Sequence, residues 1–213
     1  MMTETFDPIA TPRAGDPELA PEDADRAGFY ALIAHLLAQP PAAETLAALA
    51  EAPALEADPA LPEAVALAQA WAQLRERAAQ MDAAAVWAEW SALFTGTGRP
   101  ELLPYASFYL TGFMMEKPLA VLRDDLAMLG LAREAGSGEP EDHLAGICAA
   151  MRLLVDGGDL AEQQRFFVRH LQPWEAACCG AMSSHALARF YAALADFAHA
   201  FFTLEARVLG YDQ

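Results

Sequence analysis

Apolar residues recur in this chain at the spacing of a helix face, segment after segment, and that recurrence leaves little choice of architecture. Phe29, Leu32, Ile33, Leu36 and Leu37 fall at i, i+3, i+4, i+7 and i+8, the stripe that an α-helix turns toward a core. Val86, Trp87, Trp90, Leu93 and Phe94 follow the same rule, as do Leu144, Ile147, Cys148, Met151, Leu154 and Val155. A long final helix is predicted to carry Leu187, Phe190, Tyr191, Leu194, Phe197, Phe201, Leu204 and Val208. No segment alternates with period two on β-branched residues. Alanine, 49 of the 213 residues, adds to the bias because it loses no side-chain entropy in a helix. The expected fold is all-α, a single globular domain of roughly nine to eleven helices.

Proline, glycine and capping residues set the expected boundaries. Gln39-Pro40-Pro41 stops the first helix, and a short one follows from Ala42 to Glu51. Pro53, Pro59 and Pro62 mark an irregular connection before a helix from Glu63 to Gln80. Asp82 is placed to cap the next helix, which Gly96 and Gly98 end. Helices over Ser107–Met115 and Pro118–Gly130 are expected, then a flexible link at Ala135–Gly138. Pro140 is expected to open a helix that Gly157-Gly158 ends, Asp159 to cap another, and Pro173-Trp174 to start one more. Residues 1–25 are acidic and without apolar periodicity, so they read as a disordered tail, with the helical domain spanning 26–213.

The charge narrows the function. Thirteen Lys+Arg against 30 Asp+Glu give −17, which repels nucleic-acid phosphates and anionic membranes and suits a basic partner. No run of 18 uncharged apolar residues exists, so no membrane span is expected. The acidic N-terminus lacks the basic and apolar regions of a secretory signal, so a cytoplasmic location is expected. Cys148, Cys178 and Cys179 are then unlinked thiols. Cys178 and Cys179 point about 100° apart on a helix and, with His185, lack a fourth ligand. They read as core fillers, and no metal is expected.

Chemistry-bearing motifs are few. There is no phosphate-binding Gly-x-x-x-x-Gly-Lys loop and no Gly-x-Ser-x-Gly elbow. Glu139-Pro140-Glu141-Asp142-His143 is the most polar cluster in its region. Proline at the first helical position and acids in the first turn fit local helix physics, but His143 is not explained that way. It is either a core residue with a satisfied hydrogen bond or one side of a groove shared with Asp142. Trp87, Trp90 and Phe94 form either core or a groove wall, with Tyr105, Phe108 and Tyr109 close behind.

Five elements together resemble a known family. They are Trp90-Ser91-Ala92-Leu93-Phe94-Thr95-Gly96, Pro104-Tyr105-Ala106-Ser107-Phe108-Tyr109, Glu139-Pro140-Glu141-Asp142-His143, His170-Leu171-Gln172-Pro173-Trp174 and Phe190-Tyr191. In order and spacing over about residues 26–209 they are similar to the TorD/DmsD/NarJ redox-enzyme maturation chaperones. The resemblance implies a TorD-like helical fold, no enzymatic activity and no cofactor. It implies two partners: a twin-arginine signal peptide and the apo catalytic subunit of a molybdopterin-dependent oxidoreductase, whose export is delayed until the cofactor is loaded. It further implies a peptide-binding surface at Trp90, Leu93, Phe94, Pro104, Tyr105, Ser107, Tyr109, Glu139, Glu141, Asp142 and His143, with the acids receiving arginine. Leu103 and Ala106 depart from the family's Pro-Tyr-Glu-Ser form. The Gly98–Tyr105 stretch is similar to relatives associated with formate dehydrogenases, and a DMSO-reductase-type client fits equally. A permanent assembly subunit of a reductase is the alternative, and a small hydrolase built on Asp142 and His143 a weaker one. The protein is expected as a monomer or as a dimer swapped about Ala135–Gly138.

Overall fold

The computed structural model describes residues 19–95, 100–132 and 139–210. Ten α-helices are found among them: α1 (Pro21–Ala38), α2 (Ala43–Glu51), α3 (Pro62–Gln80), α4 (Ala83–Trp90), α5 (Ala106–Thr111), α6 (Lys117–Met128), α7 (Leu144–Gly157), α8 (Leu160–His170), α9 (Glu175–Ser183) and α10 (Phe190–Val208). α4 runs on into a π-helical turn, Ser91–Thr95. No strand occurs among the described residues, only an isolated antiparallel bridge between Tyr105 and His143. The all-α single-domain expectation holds, with one continuous apolar core.

The aromatic stripe of α10 is the axis of that core. α10 packs on α3 and α9, and α1 lies along α7. Phe197 meets Phe29 edge-on at 5.3 Å and Trp71 at 5.2 Å, and Phe201 meets Tyr30 at 4.8 Å. Burying each such side chain contributes roughly 1.5–3 kcal/mol. The polar tips of the buried aromatics are spent on carbonyls near helix ends. Tyr191 donates to Leu36 O at 3.2 Å and Trp90 to Leu37 O at 3.4 Å, in the last turn of α1. Trp174 donates to His170 O at 2.7 Å, at the end of α8. These bonds satisfy acceptors that the helix itself leaves open.

A buried ion pair closes the fold. Arg26 of α1 donates from Nε to Glu205 Oε1 at 2.7 Å and from Nη2 to Oε2 at 3.0 Å, a bidentate contact with α10. Its remaining donors meet Gln163 of α8 at 2.8 Å and Asp23 at 2.7 Å. Tyr30 adds a bond to Glu205 at 3.0 Å. Periodicity conceals this group, because Glu205 occupies a core position of α10 whereas Val208, counted in the stripe, is exposed.

Several boundaries shift from expectation. α1 begins at Pro21 rather than Arg26, since Pro21 sits in the first turn, Glu22 and Asp23 favour the helix dipole, and Asp23 pairs with Arg26. Residues 1–18, the rest of the expected tail, lie outside the described residues, as do Gly96, Gly98 and Ala135–Gly138. α5 stops at Thr111 because Gly112 turns left-handed at φ 83°. α10 begins at Phe190, leaving Leu187 52% exposed. Asp82 and Asp159 do cap α4 and α8.

Replacing Glu205 with Ala strands a buried guanidinium. We expect a loss of about 3–5 kcal/mol of unfolding free energy, the usual result of removing one partner of a buried pair. Urea denaturation checks it; a loss within experimental error of zero would show that the pair does not close the fold.

Candidate functional site

The second and third motifs meet in one joint. The backbone before α5 runs antiparallel to the backbone before α7: Leu144 N donates to Pro104 O at 2.8 Å and Ala106 N to Asp142 O at 2.9 Å. Asp142 Oδ2 then accepts from Ser107 N at 3.0 Å. Ala106 and Ser107 are the first residues of α5, whose N–H groups have no partner within the helix. Asp142 therefore caps α5 from a distant loop, once with its backbone and once with its side chain.

His143 caps the other helix. Its Nδ1 accepts from Ala145 N at 3.0 Å, so the ring is neutral with its proton on Nε2. Burial pushes the imidazole down to about 4, against the opposing influence of Glu139 and Asp142. Its ring stands edge-on to Tyr105 at 4.9 Å. The Tyr105 hydroxyl donates to Glu139, and burial together with that carboxylate raises the phenol well above its usual range. Glu141 holds Arg123 of α6 at 2.7 Å. Gly146 is forced by this packing, since a Cβ there would lie 2.8 Å from the Glu141 carbonyl oxygen.

This geometry corrects one expectation and decides a question that the sequence left open. α7 starts at Leu144, so Glu141 and Asp142 precede the helix instead of filling its first turn. Asp142 is fully buried and His143 nearly so. Of the two readings left open for His143, the structure shows the core residue with a satisfied hydrogen bond, and truncating it together with Asp142 would loosen the α5–α7 joint. Asp142 Oδ1 and Ser107 Oγ are buried without a hydrogen-bond partner among the described residues.

The joint gathers Pro104, Tyr105, Ser107, Glu139, Glu141, Asp142 and His143. The remaining predicted residues lie elsewhere in the packing. Leu93 is fully buried, and Phe94 packs edge-on to Tyr191 at 5.2 Å. Tyr109 stacks on Trp174 at 5.7 Å, and its hydroxyl pairs with the Cys178 thiol, which burial pushes up to about 12. Leu102 links the two regions, donating to Leu93 O at 3.0 Å. Beside this link lies an open hollow of about 370 Å³ lined by Pro100, Glu101, Leu102, Leu103, Phe108, Tyr109 and Ala181. Cys178 and Cys179 are buried free thiols, whereas His185 lies 3.8 Å from Glu101. Among the described residues no group of three or more His, Cys, Asp or Glu is arranged to hold a metal, and no helix is long and apolar enough to cross a membrane.

Two features escaped the sequence reading. Glu89 of α4 accepts from Arg189 N at 2.8 Å, Phe190 N at 3.2 Å and Tyr191 N at 2.9 Å, capping α10 from across the molecule. Phe113 and Met115 stand exposed between α5 and α6. Their signal was available: large apolar residues between a helix-ending glycine and the proline of the next helix belong to a loop.

Residues 58–180 match the family of the nitrate reductase delta subunit. The chain belongs to this family of NarJ/TorD-type chaperones, and it is a redox-enzyme maturation chaperone rather than a catalyst. A crystal structure from Archaeoglobus fulgidus, of a protein put forward as a redox enzyme maturation protein, has the same fold. Its TM-score is 0.54 at 17% identity, covering 84% of this chain and 93% of that one. No curated protein sequence matches the chain.

Two outcomes follow from the joint. The unfolded chain protonates His143 below about pH 6.5, whereas the folded chain does so only near pH 4. The folded pKa is depressed for a group that is neutral when folded, so stability falls as pH drops through that window, by on the order of 3 kcal/mol from this group. His143→Asn keeps a capping side chain and removes the titration. Urea unfolding between pH 7 and 4 is expected to show a shallower slope for the variant, and parallel slopes would refute the buried neutral assignment. Gly146→Ala, in turn, is expected to cost about 1–3 kcal/mol through overpacking, measured by the same method; an unchanged midpoint would mean the loop yields freely.

Proposed function

We propose that this chaperone binds the twin-arginine signal peptide of a molybdopterin-dependent oxidoreductase in the cytoplasm, and holds the apo catalytic subunit until its cofactor is loaded. The observation that carries this reading is family membership across the segment containing the joint. The surface chemistry supports it. The hollow beside the joint has apolar walls in Leu102, Leu103, Phe108 and Tyr109, with Glu101 also in its lining. The apolar run of a twin-arginine signal suits walls of this kind, and its arginines suit a chain of net charge −17. In this reading Trp90, Leu93 and Phe94 fix the backbone that carries the wall. Pro104, Ser107, Glu141, Asp142 and His143 hold the joint rigid, Tyr105 and Glu139 are its more accessible members, and Tyr109 walls the hollow beside it. The client is of the nitrate reductase, formate dehydrogenase or DMSO-reductase type.

The family's description as a reductase subunit favours a second reading, a permanent assembly partner. A complex that survives cofactor loading would select it over a transient chaperone.

Calorimetry with the full chain and a synthetic client leader tests the main reading. Binding around the micromolar range, about −8 kcal/mol, is expected, with weakening when both arginines become glutamine. No heat of binding for any leader from the host's molybdoenzymes would sink it.

A further inference from the structure

The elbow between α5 and α6 has features that packing and stability do not explain. Phe113 is 69% and Met115 72% exposed, and Leu110 beside them is also exposed. Met115 has φ 58°, the only left-handed non-glycine among the described residues. A left-handed backbone at a non-glycine residue is costly, and here it holds a large apolar side chain out in solvent. The elbow is nonetheless ordered by specific bonds. Gly112 supplies the first left-handed turn, and Thr111 Oγ1 donates to Ser107 O at 2.8 Å while accepting from Phe113 N at 3.3 Å.

Next to the elbow is a hollow of about 280 Å³ lined by Met115, Glu116, Leu119, Ala120, Arg123 and Asp124. Its charges are unequal in availability. Arg123 is engaged by Glu141 at 2.7 Å. The side chains of Glu116 and Asp124 make no ion pair or hydrogen bond with any described residue. Lys117, the chain's single lysine, does not line the hollow. What remains is apolar surface with two uncommitted carboxylates, continuous through Arg123 and Glu141 with the joint.

We infer that this elbow docks the stretch of the client leader where arginine adjoins the apolar run, with Glu116 and Asp124 receiving the guanidinium and Phe113 and Met115 the apolar residues. The inference rests on the proposed signal-peptide function and assigns the site within it to residues outside the family motifs. Carboxylates accept guanidinium through paired hydrogen bonds. Methionine, unbranched and polarizable, adapts to apolar leaders of differing sequence.

The test uses the full chain with two peptides, one with consecutive arginines before an apolar run and one with both arginines changed to glutamine. Two variants are compared with the wild type, Glu116→Gln/Asp124→Asn and Phe113→Ser/Met115→Ser. All four positions are exposed, and urea unfolding confirms that the variants remain folded. The wild type is expected to prefer the arginine peptide by about tenfold. The charge variant loses that preference, binding both peptides at the weaker level. The apolar variant weakens both peptides by about tenfold and keeps the preference. Wild-type binding that neither variant alters overturns the elbow while leaving the proposed function standing. Failure of the wild type to bind either peptide overturns both. If the apolar variant instead loses self-association in sedimentation while its peptide binding stays intact, the surface belongs to a second copy of the chain and the inference fails.

Discussion

An α-helix begins with N–H groups that no carbonyl of its own can reach, and this chain answers that constraint with acids borrowed from elsewhere in the fold. The usual local solution, a serine, threonine, asparagine or aspartate just before the helix, is scarce in an alanine-rich sequence. Asp82 and Asp159 provide it for α4 and α8. Glu89 must cross from α4 to cap α10, and Asp142 must cross from the loop before α7 to cap α5. Each long-range cap fixes a helix and, at the same time, the relation between two distant segments. The Arg26–Glu205 pair does the same for the first and last helices.

The joint at Asp142 shows what such coupling achieves. One aspartate supplies a backbone and a side-chain acceptor to the start of α5, while its neighbour His143 caps α7. Two helices thus start from a shared point, and Gly146 lets the Glu141 carbonyl pack against the first turn of α7. Glu141 extends the same loop to α6 through Arg123. The polar motif therefore works as a structural node whose outputs are positions: the hollow walled by Phe108 and Tyr109 on one side, and the elbow with Phe113 and Met115 on the other. A helix as short as α5 needs such a node, because six residues gain little stability from helix formation alone.

The helical stripes were legible in the sequence because period and burial agree: Ile33, Leu36, Ile147, Met151, Phe197 and Phe201 are all buried as their spacing requires. The motif residues were legible as a group, and Pro104 to Ser107 do meet Glu139 to His143. What spacing could not convey was the direction of their side chains. Asp142 looked like a solvent-facing acid at a helix start, yet its partner N–H lies 35 residues away in sequence. Glu89 and Glu205 were hidden for the same reason, since an acid at a core position is intelligible only once its distant donors are known. Met115 was hidden differently: a positive φ at a non-glycine leaves no trace in composition.

The net charge of −17 also changes meaning in three dimensions. Many of the acids are consumed internally. Glu205 is held by Arg26, Glu141 by Arg123, Asp125 by His170 at 2.6 Å and Arg169 at 3.0 Å, Glu175 by His199 at 3.0 Å, and Glu63 by Arg207 at 3.0 Å. Glu89 and Asp142 serve backbone N–H groups. Recognition of a basic segment depends on carboxylates that remain uncommitted and adjoin apolar surface, because a charge in open water is screened and contributes little. Total charge attracts a basic partner, whereas the proposed site rests on the few acids, such as Glu116 and Asp124, that the fold has not already used.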